Sequence, residues 1–230
     1  TQLATTPQRL QALRSGRVND LMRNSPLCQA KAFANDFESA IDSIFKRAQH
    51  ADPVRPEFLE IPNHVHIAVE DTDLSLTAWV LREQRDWFED EIRFVRKLMR
   101  PGDVALDVGA NHGVYALSMA KLVGDAGRIY AFEPAATPRN LLLQSMKRNR
   151  FANLEVHGDA LSDCQGTSTL FTGQNSELNA LKRQDGLHTH SEQVDVTTID
   201  RCAKKYNWRN VAFVKLDAEG EEINIVKGGS

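Results

Sequence analysis

The sequence predicts an α/β fold, a parallel β-sheet with crossover helices, with a helical segment at its front. Three observations point there. From Val104 onward, short apolar runs of strand character alternate with longer runs of helical period, the pattern that lays consecutive parallel strands into one sheet. The first of these strands gives way to its helix through a turn of small residues, Asp107-Val108-Gly109-Ala110-Asn111-His112-Gly113. Finally, 230 residues that are 41% hydrophobic and 26% charged can bury one core of ordinary size with something smaller attached.

Taken in order, residues 1–50 read as helices, because Thr6-Pro7 and Ser25-Pro26 each place a capping hydroxyl before a proline suited to the first turn. Phe33, Phe37, Ala40, Ile41, Ile44 and Phe45 then recur as one apolar helical stripe. Pro53, Pro56 and Pro62 make residues 51–62 an extended linker, which leaves residues 63–230 for the main domain. Its first part, 64–70 and 75–81, reads as a hairpin around Asp71-Thr72-Asp73. A helix is expected over 85–99, with Phe88, Ile92, Val95, Leu98 and Met99 facing inward and Pro101-Gly102 stopping it. Strands at Val104–Val108, 128–133 and Leu154–His157 alternate with helices at Val114–Val123 and 138–149. Residues 168–172 and 194–198 read as insertion strands around a polar loop that holds His188 and His190. Val211–Leu216 is a further buried strand, and a helix begins over 221–226.

Twenty-eight basic against thirty-one acidic residues leave a net charge of −3, a balance that points away from nucleic acid and from an anionic membrane surface. No apolar run approaches the roughly 18 residues of a membrane span, and the first thirty residues lack the layout of a secretory signal, so a cytoplasmic protein is expected. Cys28, Cys164 and Cys202 form no CxxC pair and read as reduced thiols. The pairs His64/His66 and His188/His190 lack further ligands, so no metal is expected. Arg139, Lys147, Arg148 and Arg150 mostly gather toward one helix end, where positive charge complements the macrodipole.

The turn 107–113 carries the chemistry. Its small residues let backbone approach a ligand, and free N–H groups of the following helix can hydrogen-bond it. Twenty residues beyond Gly113 the next strand ends in Glu133, whose carboxylate can accept both hydrogens of a ribose diol. A dinucleotide fold wants G-x-G-x-x-G against a pyrophosphate, but Asn111 replaces the second glycine, and Asp107 repels a diphosphate while suiting an amino group. The pattern therefore favours S-adenosylmethionine, which carries an ammonium, a carboxylate, a ribose diol and an adenine but no phosphate. His112 is expected to face solvent.

Asp107 to Gly113, Phe132-Glu133-Pro134 and Val214-Lys215-Leu216-Asp217-Ala218-Glu219-Gly220-Glu221-Glu222, in that order and spacing, resemble the FkbM family of S-adenosylmethionine-dependent methyltransferases over about residues 85–228. The resemblance implies a class I methyltransferase fold, Rossmann-like, and methylation of a hydroxyl oxygen, often on a sugar or small metabolite. It implies that Asp107, Gly109, Ala110, Asn111 and Gly113 cradle the methionine part and that Glu133 holds the ribose. At the end of the third strand, where class I enzymes bind adenine, Asp159 would accept from the exocyclic amine and the Ala160 N–H would donate to the ring; a plain surface acid is the other reading of Asp159. Lys215, Asp217 and Glu219 would lie beside the transferred methyl. Asp217 and Glu219 share the roles of base and positioner, undivided, and Lys215 is either their partner in catalysis or a structural ion pair. Trp87, Phe88 and Glu91 are candidates for the pocket wall, with Phe88 also reading as core.

A second resemblance concerns the front of the chain. Arg9-Leu10 through Arg14, Asn24-Ser25-Pro26-Leu27-Cys28, Phe33, Asp36-Phe37-Glu38 and Ala40 are similar to the final helices of tetratricopeptide-linked glycosyltransferases related to O-linked N-acetylglucosamine transferase, over about residues 5–49. This implies a bifunctional chain, glycosyltransferase followed by methyltransferase, against a plain helical extension. A class I sheet has seven strands in the order 3-2-1-4-5-7-6, so a domain truncated after its fourth core strand is expected. The functional expectation is S-adenosylmethionine-dependent O-methylation of a glycan or small molecule. The alternatives are a non-catalytic nucleoside-binding or targeting module fused to a glycosyltransferase and, third, a nicotinamide-dependent oxidoreductase.

Overall fold

The computed structural model describes residues 56–70, 75–173, 176, 179–181 and 188–229; the helices expected over 1–50 and the second resemblance lie outside them. The described chain opens with an antiparallel hairpin, β1 (Glu57–Ile61) and β2 (Val65–Val69), registered from Glu57 opposite Val69 to Ile61 opposite Val65. Asn63 and His64 turn it in the left-handed region, at φ 66° and 57°. Two expectations are corrected here. The stretch read as linker contains β1, because Pro56 and Pro62 flank a strand instead of breaking one, and β2 pairs backward onto β1 and not forward onto 75–81.

The run 75–81 is helical, α1 (Leu76–Gln84). Ser75 caps it by accepting from the Ala78 N–H at 3.3 Å, and Thr77, Ala78, Val80 and Leu81 are buried on one face at helical spacing. The helix expected over 85–99 is the shorter α2 (Asp90–Leu98). Arg85 ends α1 in the left-handed region, and Asp86 crosses the gap to Arg96 at 2.7 Å. Ile92, Val95 and Met99 are buried as expected, whereas Phe88 is 53% and Leu98 41% exposed. Phe88 precedes the first turn, and Leu98 lies one position off the buried stripe.

The alternation beyond Val104 forms as read: β3 (Val104–Val108), α3 (Val114–Val123), β4 (Arg128–Phe132), α4 (Ala136–Asn149) and β5 (Leu154–His157). An insertion follows, in which β6 (Ala160–Leu161) runs parallel to β8 (His188–Thr197), and β7 (Gly166–Gly173) pairs antiparallel with β8. His188 and His190 are therefore strand residues, not loop residues. A helix missing from the sequence reading, α5 (Ile199–Lys205), starts where Thr198 accepts from the Arg201 N–H. It leads to β9 (Val211–Leu216) and α6 (Glu222–Lys227).

β3, β4, β5 and β9 make one parallel sheet in the order β5-β4-β3-β9, the 3-2-1-4 order of a class I methyltransferase sheet. One core gathers the hairpin, α1, α2 and the nearly wholly buried α3; a second packs Leu106, Tyr130, Phe132, Cys202 and Ile225 with Tyr206 and Trp208. The hairpin is tied to α4 by Ser145, which accepts from the Ala68 N–H and donates to the Leu141 carbonyl, both at 2.8 Å. Among the described residues no helix is long and apolar enough to cross a membrane.

Candidate cofactor and active site

The carboxyl ends of the parallel strands open into a cavity of about 300 Å³, where open α/β sheets place their ligands. Gly109, Ala110, Asn111, His112, Glu133, Asp159, Ala160, Lys215, Asp217 and Glu219 line it, so most of the residues selected from the sequence converge. Asp107 and Gly113 do not reach its wall. The loop after β3 is held by its own backbone: Gly109 and Ala110 N–H both donate to the Phe132 carbonyl at 3.0 Å, and Gly113 N–H donates to the Ala110 carbonyl at 2.8 Å.

Two of the glycines also serve the packing of the loop. Gly109 sits at φ 74°, and a Cβ there would overlap the Asp217 carbonyl oxygen and lie 2.8 Å from its carbon. Removing that Cβ lets the chain beyond β9 lie directly against the loop, where Asp217 N–H donates to the Val108 carbonyl at 3.1 Å. A Cβ at Gly113 would overlap the Leu142 side chain, so this residue joins the loop to α4.

Asp107 is fully buried behind the loop, where Oδ2 accepts from the Ala116 N–H at 2.8 Å and so caps the start of α3. Oδ1 makes no hydrogen bond but faces the Lys215 ammonium at 3.7 Å. Lys215 donates to the Gly109 carbonyl at 3.0 Å, pairs with Asp217 at 3.2 Å and stands over the Tyr115 ring at 5.3 Å. Burial pulls this ammonium down, but the Asp107 and Asp217 carboxylates outweigh it and hold its pKa above the ordinary value. Burial pushes the Asp107 carboxyl up. Asp107 thus grips Lys215, and Lys215 presents Asp217, whose side chain is 63% exposed, at the mouth.

Glu133 is buried with both oxygens on backbone donors, Asn111 N–H at 2.6 Å and Ala135 N–H at 2.9 Å. Burial pushes it up to about 7. Each oxygen retains a lone pair for a ribose hydroxyl. His112 does not face solvent: it is 1% exposed, with Nε2 at 2.7 Å from Glu70 Oε2 and Nδ1 at 2.7 Å from Asn111 Oδ1. Nothing in the local sequence signals this contact, because Glu70 stands 42 positions away and reaches the loop only once β2 is packed. At the mouth, the rings of Trp87 and the exposed Phe88 meet at 4.9 Å, tilted by 46°, and Glu89, not the expected Glu91, joins the wall, accepting from Tyr115 Oη at 3.0 Å.

This donor set suits a nucleoside of positive charge. Among the described residues, Glu133, Asp159, Asp217 and Glu219 face the cavity with Lys215 and His112 as its basic side chains, and these form no cluster of cations for a diphosphate. The description "Methyltransferase FkbM domain" fits residues 107–230 by family comparison, more than half of the chain. The chain belongs to the FkbM methyltransferase family. A curated relative, the 31-O-demethyl-FK506 methyltransferase FkbM of Streptomyces tacrolimicus, is 31% identical over 159 residues, covering 56% of this chain and 60% of the relative. The chain thus spans less than two thirds of that relative's length. Among solved structures, the methyltransferase FkbM of Methylobacillus flagellatus KT aligns with 18% identity and a TM-score of 0.39 over 60% of this chain and 36% of its own. A SAM-dependent methyltransferase of Aquifex aeolicus aligns with 20% identity and a TM-score of 0.30 over 36% of this chain and 47% of its own. The cofactor of this FkbM domain is S-adenosylmethionine. Its acid-lined cavity fits that group.

Proposed function

We propose that this FkbM-family protein is an S-adenosylmethionine-dependent O-methyltransferase acting on a hydroxyl of a sugar or other small metabolite. The observation that carries the reading is Asp217, an exposed carboxylate fixed at 3.2 Å from Lys215, at the mouth of the cavity whose inner wall holds Glu133. The cofactor, when bound, supplies a methyl group on a sulfonium. What remains for the chain is to align an acceptor oxygen and remove its proton. Asp217 takes the proton from the acceptor hydroxyl, and Lys215, itself held by Asp107 and the Gly109 carbonyl, pairs with that carboxylate. Glu219, itself in the left-handed region at φ 46°, positions the acceptor. Trp87 and Phe88 offer apolar faces to the carbon skeleton of a hydroxylated ring. Asp159 and Ala160 hold the adenine.

The resemblance of the front of the chain to glycosyltransferase helices supports a glycan as acceptor and a bifunctional chain. The free thiols of Cys164 and Cys202 agree with a cytoplasmic setting. The test is transfer of labelled methyl from the cofactor to a panel of methyl glycosides and polyols. Asp217→Asn is expected to lower turnover by about 10² to 10⁴ fold while cofactor affinity stays within about threefold. Turnover unchanged in Asp217→Asn would remove it as base. Cofactor binding without turnover on any hydroxylated acceptor would favour the non-catalytic module.

A further inference from the structure

The buried His112 has no part in the chemistry above, yet it is built into the loop that meets the cofactor. Its ring is clamped between two oxygens, Glu70 Oε2 and Asn111 Oδ1, each at 2.7 Å. Glu70, despite burial, is held below the usual carboxylate range by its hydrogen bond and charge interaction with His112, so it accepts and Nε2–H donates. Asn111 Oδ1 also receives Ser176 Oγ–H at 2.9 Å, from the insertion between β7 and β8. With an acceptor oxygen at each ring nitrogen, His112 bridges them as an imidazolium paired with Glu70, so that Nδ1–H and Ser176 Oγ–H both donate to one amide oxygen and turn it into the protein. Asn111 lines the cavity, and among the described residues its Nδ2 makes no hydrogen bond.

The consequence lies in the loop's donors. The N–H groups of Gly109, Ala110 and Gly113 are spent on backbone carbonyls, and that of Asn111 on Glu133. These four cannot serve a ligand anion. A ligand carboxylate entering a cavity lined by Glu133, Asp159, Asp217 and Glu219 needs a donor on this loop, and the Asn111 amide supplies two hydrogens.

We propose that His112, with Ser176 beside it, is a positioning residue that turns the Asn111 amide nitrogen toward the carboxylate of the cofactor's amino-acid tail. This rests on the cofactor reading above. It makes the loop selective for ligands that carry a carboxylate, and it gives the hairpin a functional role through Glu70.

Three ligands separate the possibilities by calorimetry on the full chain: S-adenosylhomocysteine, its decarboxylated analogue S-adenosyl-3-thiopropylamine, which keeps the ammonium, and 5′-methylthioadenosine, which has neither group. His112→Phe is expected to weaken S-adenosylhomocysteine by about tenfold or more, the worth of a hydrogen bond to a charged group, and to leave the other two unchanged. Ser176→Ala, which disturbs no buried ring, should shift the same ligand alone by about threefold. Equal losses on all three ligands would reduce His112 to a structural prop and overturn the proposal. So would a loss shared by S-adenosylhomocysteine and the decarboxylated analogue, since the amide would then present its oxygen to the ammonium, and so would no loss at all. If the unmutated chain bound none of the three, the cofactor reading itself would fall; selective failure of the carboxylate effect leaves that reading standing.

Discussion

Replacing Gly109 by alanine separates the two things this glycine does. At φ 74° an alanine pays roughly 1–2 kcal/mol for the left-handed backbone alone. Its Cβ would also stand 2.8 Å from the Asp217 carbonyl carbon and overlap the carbonyl oxygen. Ordinary carbon contacts begin at about 3.5 Å, so the backbone of Asp217 must retreat by ~0.7 Å or more. Overpacking against main chain adds roughly 1–3 kcal/mol. The sum is about 2–5 kcal/mol of stability, with the retreat carrying Asp217 and Lys215 away from the loop. Gly102→Ala is the control: it sits at φ 89° with nothing within 4 Å of the added Cβ, so it carries the backbone part alone. Urea unfolding of both variants gives the difference, and calorimetry with S-adenosylhomocysteine gives the functional effect. Equal destabilisation by the two substitutions, with cofactor affinity retained in Gly109→Ala, would refute the claim that this glycine exists to seat Asp217.

Other outcomes follow from the same contacts. Glu133 is raised from 4.5 to about 7, so the folded protein holds this proton more tightly than the unfolded chain. Its contribution is present below pH 4.5 and is lost as pH rises through about 7, on the order of 3 kcal/mol; Glu133→Gln should flatten the fall in stability across that window, measured by urea unfolding at a series of pH values. Ser145→Ala strands the buried Ala68 N–H and should lower stability by about 1–3 kcal/mol, with amide exchange accelerated in the hairpin first. Lys215→Met leaves the buried Asp107 without its cation and should destabilise by about 3 kcal/mol above neutral pH. The loss should shrink in acid, where Asp107 takes up a proton, and thermal unfolding at the two pH values checks the sign.

Much of this was legible because burial in a parallel sheet leaves long apolar runs. Val104–Val108, Arg128–Phe132 and Val211–Leu216 could be read directly, and the loop and Glu133 were placed by their position at strand ends. The misreadings have particular causes. Residues 75–81 begin with alternating polar and apolar residues, and only the Ser75 cap and the continuation through Gln84 reveal a helix. Pro62 followed by Asn63 and His64 looks like a break in the chain, but Asn tolerates the left-handed turn that closes the hairpin. Asp107 and Glu133 are both acids at strand ends; which one reaches the ligand depends on the capping of Ala116, visible only in three dimensions. His112 was misread for the same reason, since its partner Glu70 arrives from a strand whose pairing had itself been misassigned.

The most direct test is a calorimetric titration of the intact chain with S-adenosylhomocysteine, beside its Glu133→Ala variant. Binding in the micromolar range that weakens at least tenfold in the variant is the result expected of an acid-lined clamp on the ribose. Absence of heat with the unmutated chain, or equal affinity in the two proteins, would contradict it.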